Sequence, residues 1–296
     1  MGAPAEGATF RQRAFVALQH LLPQHFLSRL IYHATRATWR PWKDLLIRNF
    51  LRGFHVNMSE AAQPDPFAYP TFNAFFTRAL RADARPLDPD SRVLVCPVDG
   101  TVSQAGHIDD HALFQAKGHQ FSLEALLAGD RELVEKFSHG EFATIYLAPH
   151  NYHRVHMPLA GVLTATVHVP GRLFSVNAAT AAQVPELFAR NERVICTFDT
   201  PQGGLAMILV GALFVGSMAT VWAGEITPAP RRGPSVLPAP SSPVRLATGA
   251  EMGRFNMGST VIVLLQRGRV RWLDSLRAGV AVRLGERIGI CQVTVP

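Results

Sequence analysis

From Arg92 onward the chain breaks into short apolar runs separated by Gly, Pro, Asn and Asp: VLVCPVDGTV, FATIYLAP, GVLTATVHVPG, RVICTFDT. Runs of this length, rich in Val, Ile and Thr and closed by turn formers, read as strands rather than long helices. The body is therefore predicted to be a β-rich α+β domain, with helical pieces near 121–137 and 178–190. Apolar residues make up 48% of the 296 and charged residues 17%, enough for a real core and incompatible with a disordered chain. One charge-free run, Gly204 to Ala223, is long enough to cross a bilayer as a helix. Gly211 and Gly216 interrupt it, so a core hairpin of two buried strands is the reading preferred here.

Residues 9–56 have a different texture. Ile47, Phe50, Leu51 and Phe54 recur at helical spacing, and Phe15, Leu18 and Leu22 do so before Pro23. The polar side is basic (Arg11, Arg13, Arg29, Arg36, Arg40, Lys43, Arg48, Arg52), and Trp39 and Trp42 sit in the middle. Such a segment reads equally as an interfacial membrane binder or as a helical cap packed on the main domain. Pro66 and Pro70 mark a linker, followed by a short helical stretch in YPTFNAFFTRAL. The net charge of +7 favours an acidic partner, but no nucleic-acid motif accompanies it. The N-terminus reads as carrying no signal peptide, because charge and Pro23 interrupt its apolar residues. Residues 227–249, TPAPRRGPSVLPAPSSPVRLATG, read as an exposed, extended loop. Cys96, Cys196 and Cys291 are odd in number and far apart, so neither a zinc site nor a disulfide framework is indicated, and a reducing compartment fits best.

Three local patterns could carry chemistry. Asp99 lies in PVDGTV, where Asp-Gly is first of all a turn signal. YLAPHNYHRVHMP gathers His150, His153 and His156. A metal site is one reading and a plain surface cluster another. The odd offset between His153 and His156 sends them to opposite faces of a strand, and no Asp, Glu or Cys nearby completes a ligand set, which suits separate roles better. Gly258-Ser259-Thr260 stands at the mouth of the apolar run TVIVLL. With Asp99 and a histidine, Ser259 permits a Ser-His-Asp arrangement, but most proteins can supply those three types, and no GxSxG elbow is present. A lipid-ester hydrolase that leaves its chain uncut, and a membrane-surface binding module with a structural serine, both stay open on this evidence.

The stretches FNAFFTRAL, PVDGTV, YLAPHNYHRVHMP, PGRLFSVN, VPELFARNERVICTFDT, ILVGALFVGSMATVWAG and GAEMGRFNMGSTVI, in this order from about residue 72 to 263, resemble the bacterial, pyruvoyl-dependent phosphatidylserine decarboxylases. Two departures stand out. Met257 replaces the family's usual leucine before Gly-Ser-Thr, a volume-conserving change. The Pro-rich loop at 227–249 is unlike the family's typical loop.

The resemblance implies a proenzyme that cuts itself between Gly258 and Ser259 into a β chain, residues 1–258, and an α chain, residues 259–296, which stay together. It implies a self-cleavage relay of Asp99, His156 and Ser259, and conversion of Ser259 into a pyruvoyl group that carries the substrate as a Schiff base. His153 would then donate the proton in decarboxylation, for which an imidazole titrating near neutrality is suited. Ser175 in PGRLFSVN is a candidate for binding the substrate's carboxylate or phosphate, with a strand-end turn as the plainer reading. No metal is expected. The implied partners are phosphatidylserine and an anionic membrane surface, and a homodimer is compatible with the family; nucleic acid is not a partner. Residues 1–70 would form a membrane-associating segment and linker and 71–296 the catalytic domain, placed peripherally on the cytoplasmic face of the cell membrane.

Overall fold

A computed structural model describes residues 9–90, 92–109, 111–116, 119–214, 217–227, 233–257 and 260–292. The helical spacing at the start becomes three helices, α1 (Phe10–Leu21), α2 (Gln24–Arg36) and α3 (Arg40–Gly53). Pro23 stands at the cap of α2 and Pro41 in the first turn of α3. Both open a helix, where a missing N–H costs no hydrogen bond.

The faces of α1 and α2 are the reverse of what a cap requires. Gln19, Gln24, Ser28 and Thr35 are buried, whereas Phe10, Leu18, Leu21, Phe26 and Leu30 are exposed. Helix α3 packs in the ordinary sense. Its Ile47 joins a buried cluster with Phe72, Phe75 and Phe76 of α4 (Phe72–Phe76), and Phe50 meets all three rings edge-on at 5.4–5.9 Å. The membrane and cap readings therefore divide between helices. The basic face also needs correction at two positions. Buried Lys43 donates to Phe67 O at 2.7 Å and pairs with Asp44, and Arg36 pairs with Glu225. Neither is a free surface charge.

The body is built on a nine-stranded antiparallel sheet. Eight strands run in the order Ser235–Val236, Gly161–Val169, Arg193–Thr200, Gly203–Val210, Thr260–Leu265, Glu141–Tyr146, Gly100–His107 and Ala281–Val282, and Arg245–Leu246 also pairs with Gly161–Val169. Thr260–Leu265 lies in the middle and all six of its residues are buried. Val261, Val263 and Leu265 point into one core cluster, Ile262 and Leu264 into the other. A strand covered on both faces needs no alternation, which is why TVIVLL reads as one continuous apolar run. A four-stranded sheet (Gly224–Glu225, Ser217–Thr220, Glu251–Asn256, Arg154–His156) carries the segment leading to residue 257.

Two sequence expectations change here. Gly204 to Ala223 does contain two strands, but they are not a hairpin: Gly203–Val210 belongs to the large sheet and Ser217–Thr220 to the four-stranded one. The chain switches sheets at its glycine-containing junction, whose residues 215 and 216 lie outside the described residues. The Pro-rich segment is extended, as expected, but Ser235–Val236 and Arg245–Leu246 pair with the edge of Gly161–Val169. Among the described residues no helix is long and apolar enough to cross a membrane.

Candidate active site

Strand register brings the sequence motifs to one end of the large sheet. Tyr146 is opposite Thr101 on one side and Thr260 on the other. Asp99, two residues before Thr101, and the Gly258-Ser259 junction, just before Thr260, therefore adjoin strands that flank the same neighbour. Gly258 and Ser259 themselves lie outside the described residues. Gly100 enters its strand so close to that neighbour that a Cβ would stand 2.5 Å from Tyr146 O. The Asp-Gly pair is thus a close approach at a strand entrance as well as a bend.

Asp99 is buried and its carboxylate is fully engaged. Arg85 Nε donates to it at 3.0 Å and Nη2 at 2.5 Å, and the Leu284 N–H donates at 2.9 Å. Arg85 also binds Glu60 at 2.7 Å. The hydrogen bonds it donates to Asp99 are the main reason the Arg85 guanidinium titrates above its ordinary value.

His156 Nδ1 lies 2.8 Å from Gly249 O, and its Nε2 lies 3.0 Å from the Tyr152 hydroxyl. A carbonyl can only accept, so Nδ1 carries the proton and Nε2 is the lone-pair nitrogen that takes the phenol's hydrogen bond. Burial pushes the His156 pKa below its ordinary value, which keeps the ring neutral at neutral pH. Burial raises that of Tyr152, so the phenol stays protonated. Gly249 can present its carbonyl because it has φ +76°, and a Cβ there would meet Leu87 Cδ1 at 2.4 Å. His156 also donates its backbone N–H to Pro97 O at 2.9 Å. Asp99 and His156 are thus brought onto adjacent segments, but the hydrogen-bond partners of the His156 ring are Tyr152 and Gly249 rather than Asp99.

His153 is fully buried and stacked on Phe76, with ring centroids 4.1 Å apart. Its Nε2 faces Pro149 O at 3.2 Å, and its Nδ1 has no partner among the described residues. Burial lowers its pKa to about 3. This corrects the expectation of an imidazole titrating near neutrality: the ring is neutral, with a lone pair at Nδ1. Among the described residues the two histidine rings share no hydrogen-bond partner. Among the described residues no group of three or more His, Cys, Asp or Glu could hold a metal ion.

The chain from Leu147 to Tyr152 runs between two cavities. One, of about 270 Å³, is lined by Asp99, Arg85, Arg78, Tyr152 and His150 among others. Buried Arg78 donates to His150 O at 3.2 Å. The other, of about 300 Å³, is apolar and lined by Phe50, Phe54, Phe76, Tyr146, Ser175, Phe214 and Met257 among others. Phe54 and Phe214 are exposed, so its rim is apolar too. Met257 has φ +103°, a left-handed conformation that costs a non-glycine residue about 1–3 kcal/mol. The backbone is strained immediately before Gly258.

A profile described as phosphatidylserine decarboxylase matches residues 72–290, and a second, described as PSD, matches residues 14–55. The chain belongs to the phosphatidylserine decarboxylase family. It is 54% identical over 283 residues to the phosphatidylserine decarboxylase proenzyme of Bordetella bronchiseptica, covering 95% of each chain. It is 53% identical to the proenzyme of Ectopseudomonas mendocina, covering 96% of this chain and all of that one. With the Pseudomonas aeruginosa proenzyme it shares 53% identity, over 95% of this chain and 98% of the other.

Within this decarboxylase framework, sequence reasoning missed Tyr152, Gly249, Arg85 and Phe76. Tyr152 lies inside the quoted histidine motif and was legible as a neighbour. The other three come from distant segments, and only the fold brings them to Asp99, His156 and His153.

Proposed function

We propose that this chain is the proenzyme of a pyruvoyl-dependent carboxy-lyase that converts phosphatidylserine to phosphatidylethanolamine and CO₂ after cutting itself between Gly258 and Ser259. What supports the reading is 54% identity to a decarboxylase proenzyme over 95% of the chain, joined to a strained Met257 just before Gly258 and a neutral, tautomer-fixed His156 on the segment bonded to Pro97, two residues from Asp99.

Self-cleavage uses this chain's own atoms. The Ser259 hydroxyl adds to the Gly258 carbonyl carbon while His156 Nε2 takes its proton, displacing the Tyr152 phenol from that lone pair. Collapse with the proton returned to the leaving nitrogen gives an ester in place of the amide. The Gly249 carbonyl does the tautomer-fixing that a carboxylate does in other relays. Asp99 acts at longer range, its negative charge favouring the imidazolium that forms. Loss of the Ser259 α-proton then expels the Gly258 carboxylate, and hydrolysis of the resulting dehydroalanine releases ammonia and leaves the pyruvoyl group. The two products are residues 1–258 and 259–296. The apolar side chains of Val261 to Leu265 hold the shorter one in the sheet, on the order of 10 kcal/mol of gross burial.

The surroundings fit a pyruvoyl group at position 259. Thr260 Oγ1 and His153 Nδ1 are buried polar atoms without a partner among the described residues, and Met257 lines the apolar cavity. Once formed, the group supplies a carbonyl that condenses with the substrate amine and withdraws electrons as CO₂ leaves. The remaining work falls to side chains. His153 must first gain a proton at Nδ1, and an anionic substrate beside it favours that charged form. It then returns the proton to the substrate carbon. Ser175 is the candidate hydrogen-bond donor to the headgroup, and the cavity takes the apolar part of the lipid.

The outward apolar face of α1 and α2 supports a peripheral seat on an anionic membrane, on the cytoplasmic face of the cell. Exposed arginines of these helices, Arg13 and Arg29, add about 1 kcal/mol each at such a surface. Residues 1–70 would be the membrane-associating segment and linker, and 71–296 the catalytic domain. Intact mass of the purified protein with peptide mapping of its C-terminal part tests the central claim. A fragment starting at position 259 with a keto group in place of the amine is expected. A single uncut chain with decarboxylase activity would overturn it.

A further inference from the structure

The polar residues on the inner side of α1 and α2 grip the wall of the apolar cavity. Gln19 is 1% exposed and Gln24 4%. Gln19 Oε1 accepts the Ser175 N–H at 2.7 Å, and Gln24 Oε1 accepts the Leu173 N–H at 2.8 Å. The Gln24 Nε2 donates back to Gln19 O at 2.8 Å, which ties the two glutamines together. Ser175 lines the apolar cavity, across which Met257 lies. Two main-chain donors, one on cavity-lining Ser175 and one on buried Leu173 two residues before it, thus find their acceptors on the N-terminal helices and not in the sheet domain.

The other end of α2 grips the strand that leads to the junction. Tyr32 donates to Glu225 Oε2 at 2.7 Å, and Arg36 forms an ion pair with Oε1 of the same carboxylate. Glu225 also accepts from Asn256 Nδ2 at 3.2 Å, and Asn256 lies two residues before Gly258. Between them α1 and α2 therefore hold the cavity wall at Ser175 and the approach to the cut, while the outer face of α2 exposes Phe26 and Leu30.

We propose that α1 and α2 are part of the active site as well as an anchor: Gln19, and Gln24 through Leu173 and its bond to Gln19, are positioning residues for the lipid-cavity wall at Ser175, and Arg36, through Glu225, is one for Asn256. The inference rests on the reading of the apolar cavity as the lipid site. Seating the outer face on a bilayer and shaping the cavity are then one mechanical event.

The test uses the full chain. In Gln19→Met/Gln24→Met, self-cleavage by intact mass and binding to phosphatidylglycerol-containing vesicles should match the parent. KM for phosphatidylserine in mixed micelles should rise about tenfold with kcat within about twofold. Glu225→Gln should slow self-cleavage about tenfold with vesicle binding unchanged.

An unchanged KM in the double glutamine variant overturns the proposal, as does a KM rise that vesicle binding follows in proportion. If the double variant loses its cooperative thermal transition, the single Gln24→Met decides by the same KM criterion. Phe54→Asp separates the underlying reading from the inference. An unchanged KM in that variant would mean that the cavity is not the lipid site, whereas a raised KM there beside an unchanged glutamine variant sinks the inference alone.

Discussion

The two cavities on either side of the Leu147–Tyr152 segment are close in size, about 270 and 300 Å³, and opposite in chemistry. The first is walled by an Arg85–Asp99–Glu60 ion network and by Tyr152, whose hydroxyl sits on His156. The second is walled by phenylalanines and Met257, with buried His153 stacked against its Phe76. Breaking a peptide bond needs a nitrogen held as a base and a fixed negative charge to stabilise the ion that forms. Accepting a lipid needs an apolar surface and a proton carrier whose charge appears only when the substrate arrives. The residues that follow, Tyr152 to His156, set one histidine beside each cavity, His156 on Tyr152 of the first and His153 on Phe76 of the second, and the proposed function gives each of them one of these tasks.

The sharpest way to break the comparison is to remove the nucleophile. Ser259→Ala should remain a single chain on a denaturing gel with no decarboxylation, so that neither cavity's chemistry is seen. Next, His156→Ala should slow self-cleavage by about 10²–10⁴-fold. In the parent, self-cleavage should be flat through neutral pH and fall as pH drops below the depressed His156 pKa, because only the neutral ring is a base. His153→Ala should still cut itself and lose about 10²-fold in decarboxylation per keto group. Failure to cut would merge the roles assigned to the two cavities. Phe54→Asp should cut normally and raise KM for the lipid, a smaller change read by micelle kinetics.

The smallest expected effect is on stability. His153 has a folded pKa of about 3 against an ordinary value near 6.5. Between those values the unfolded chain binds a proton that the folded chain does not, so stability rises with pH. The contribution is full above about pH 6.5 and is lost as pH falls towards 3. Urea denaturation of parent and His153→Phe across that window should show a flatter pH dependence in the variant.

Much of this arrangement was legible in the sequence where local physics dominates. The short apolar runs closed by turn formers gave the strands, and TVIVLL gave a buried one, because a run buried on both faces has no polar interruptions. The prolines marked helix boundaries. What was not legible depends on which face turns inward. Nothing local says that Gln19 and Gln24 are buried while Phe26 is exposed, since an amphipathic pattern is symmetric between a core and a bilayer. The strands of 204–223 were visible but not their partners, because pairing is a long-range choice. The histidine motif announced chemistry, yet the acceptor on His156 is a backbone carbonyl more than ninety residues away, and carbonyls leave no mark in a sequence.

The placement of Thr260–Leu265 between Glu141–Tyr146 and Gly203–Val210 has an outcome for the protein's life history. A strand stitched into the interior of a sheet can be severed at its end but cannot be threaded in afterwards. Halves synthesised separately would have to hold the sheet open around a gap until the strand entered it, with two rows of unpaired backbone groups exposed meanwhile. One polypeptide delivers the strand already in place, and exchange of a short piece between divided subunits would require the same opening of the sheet.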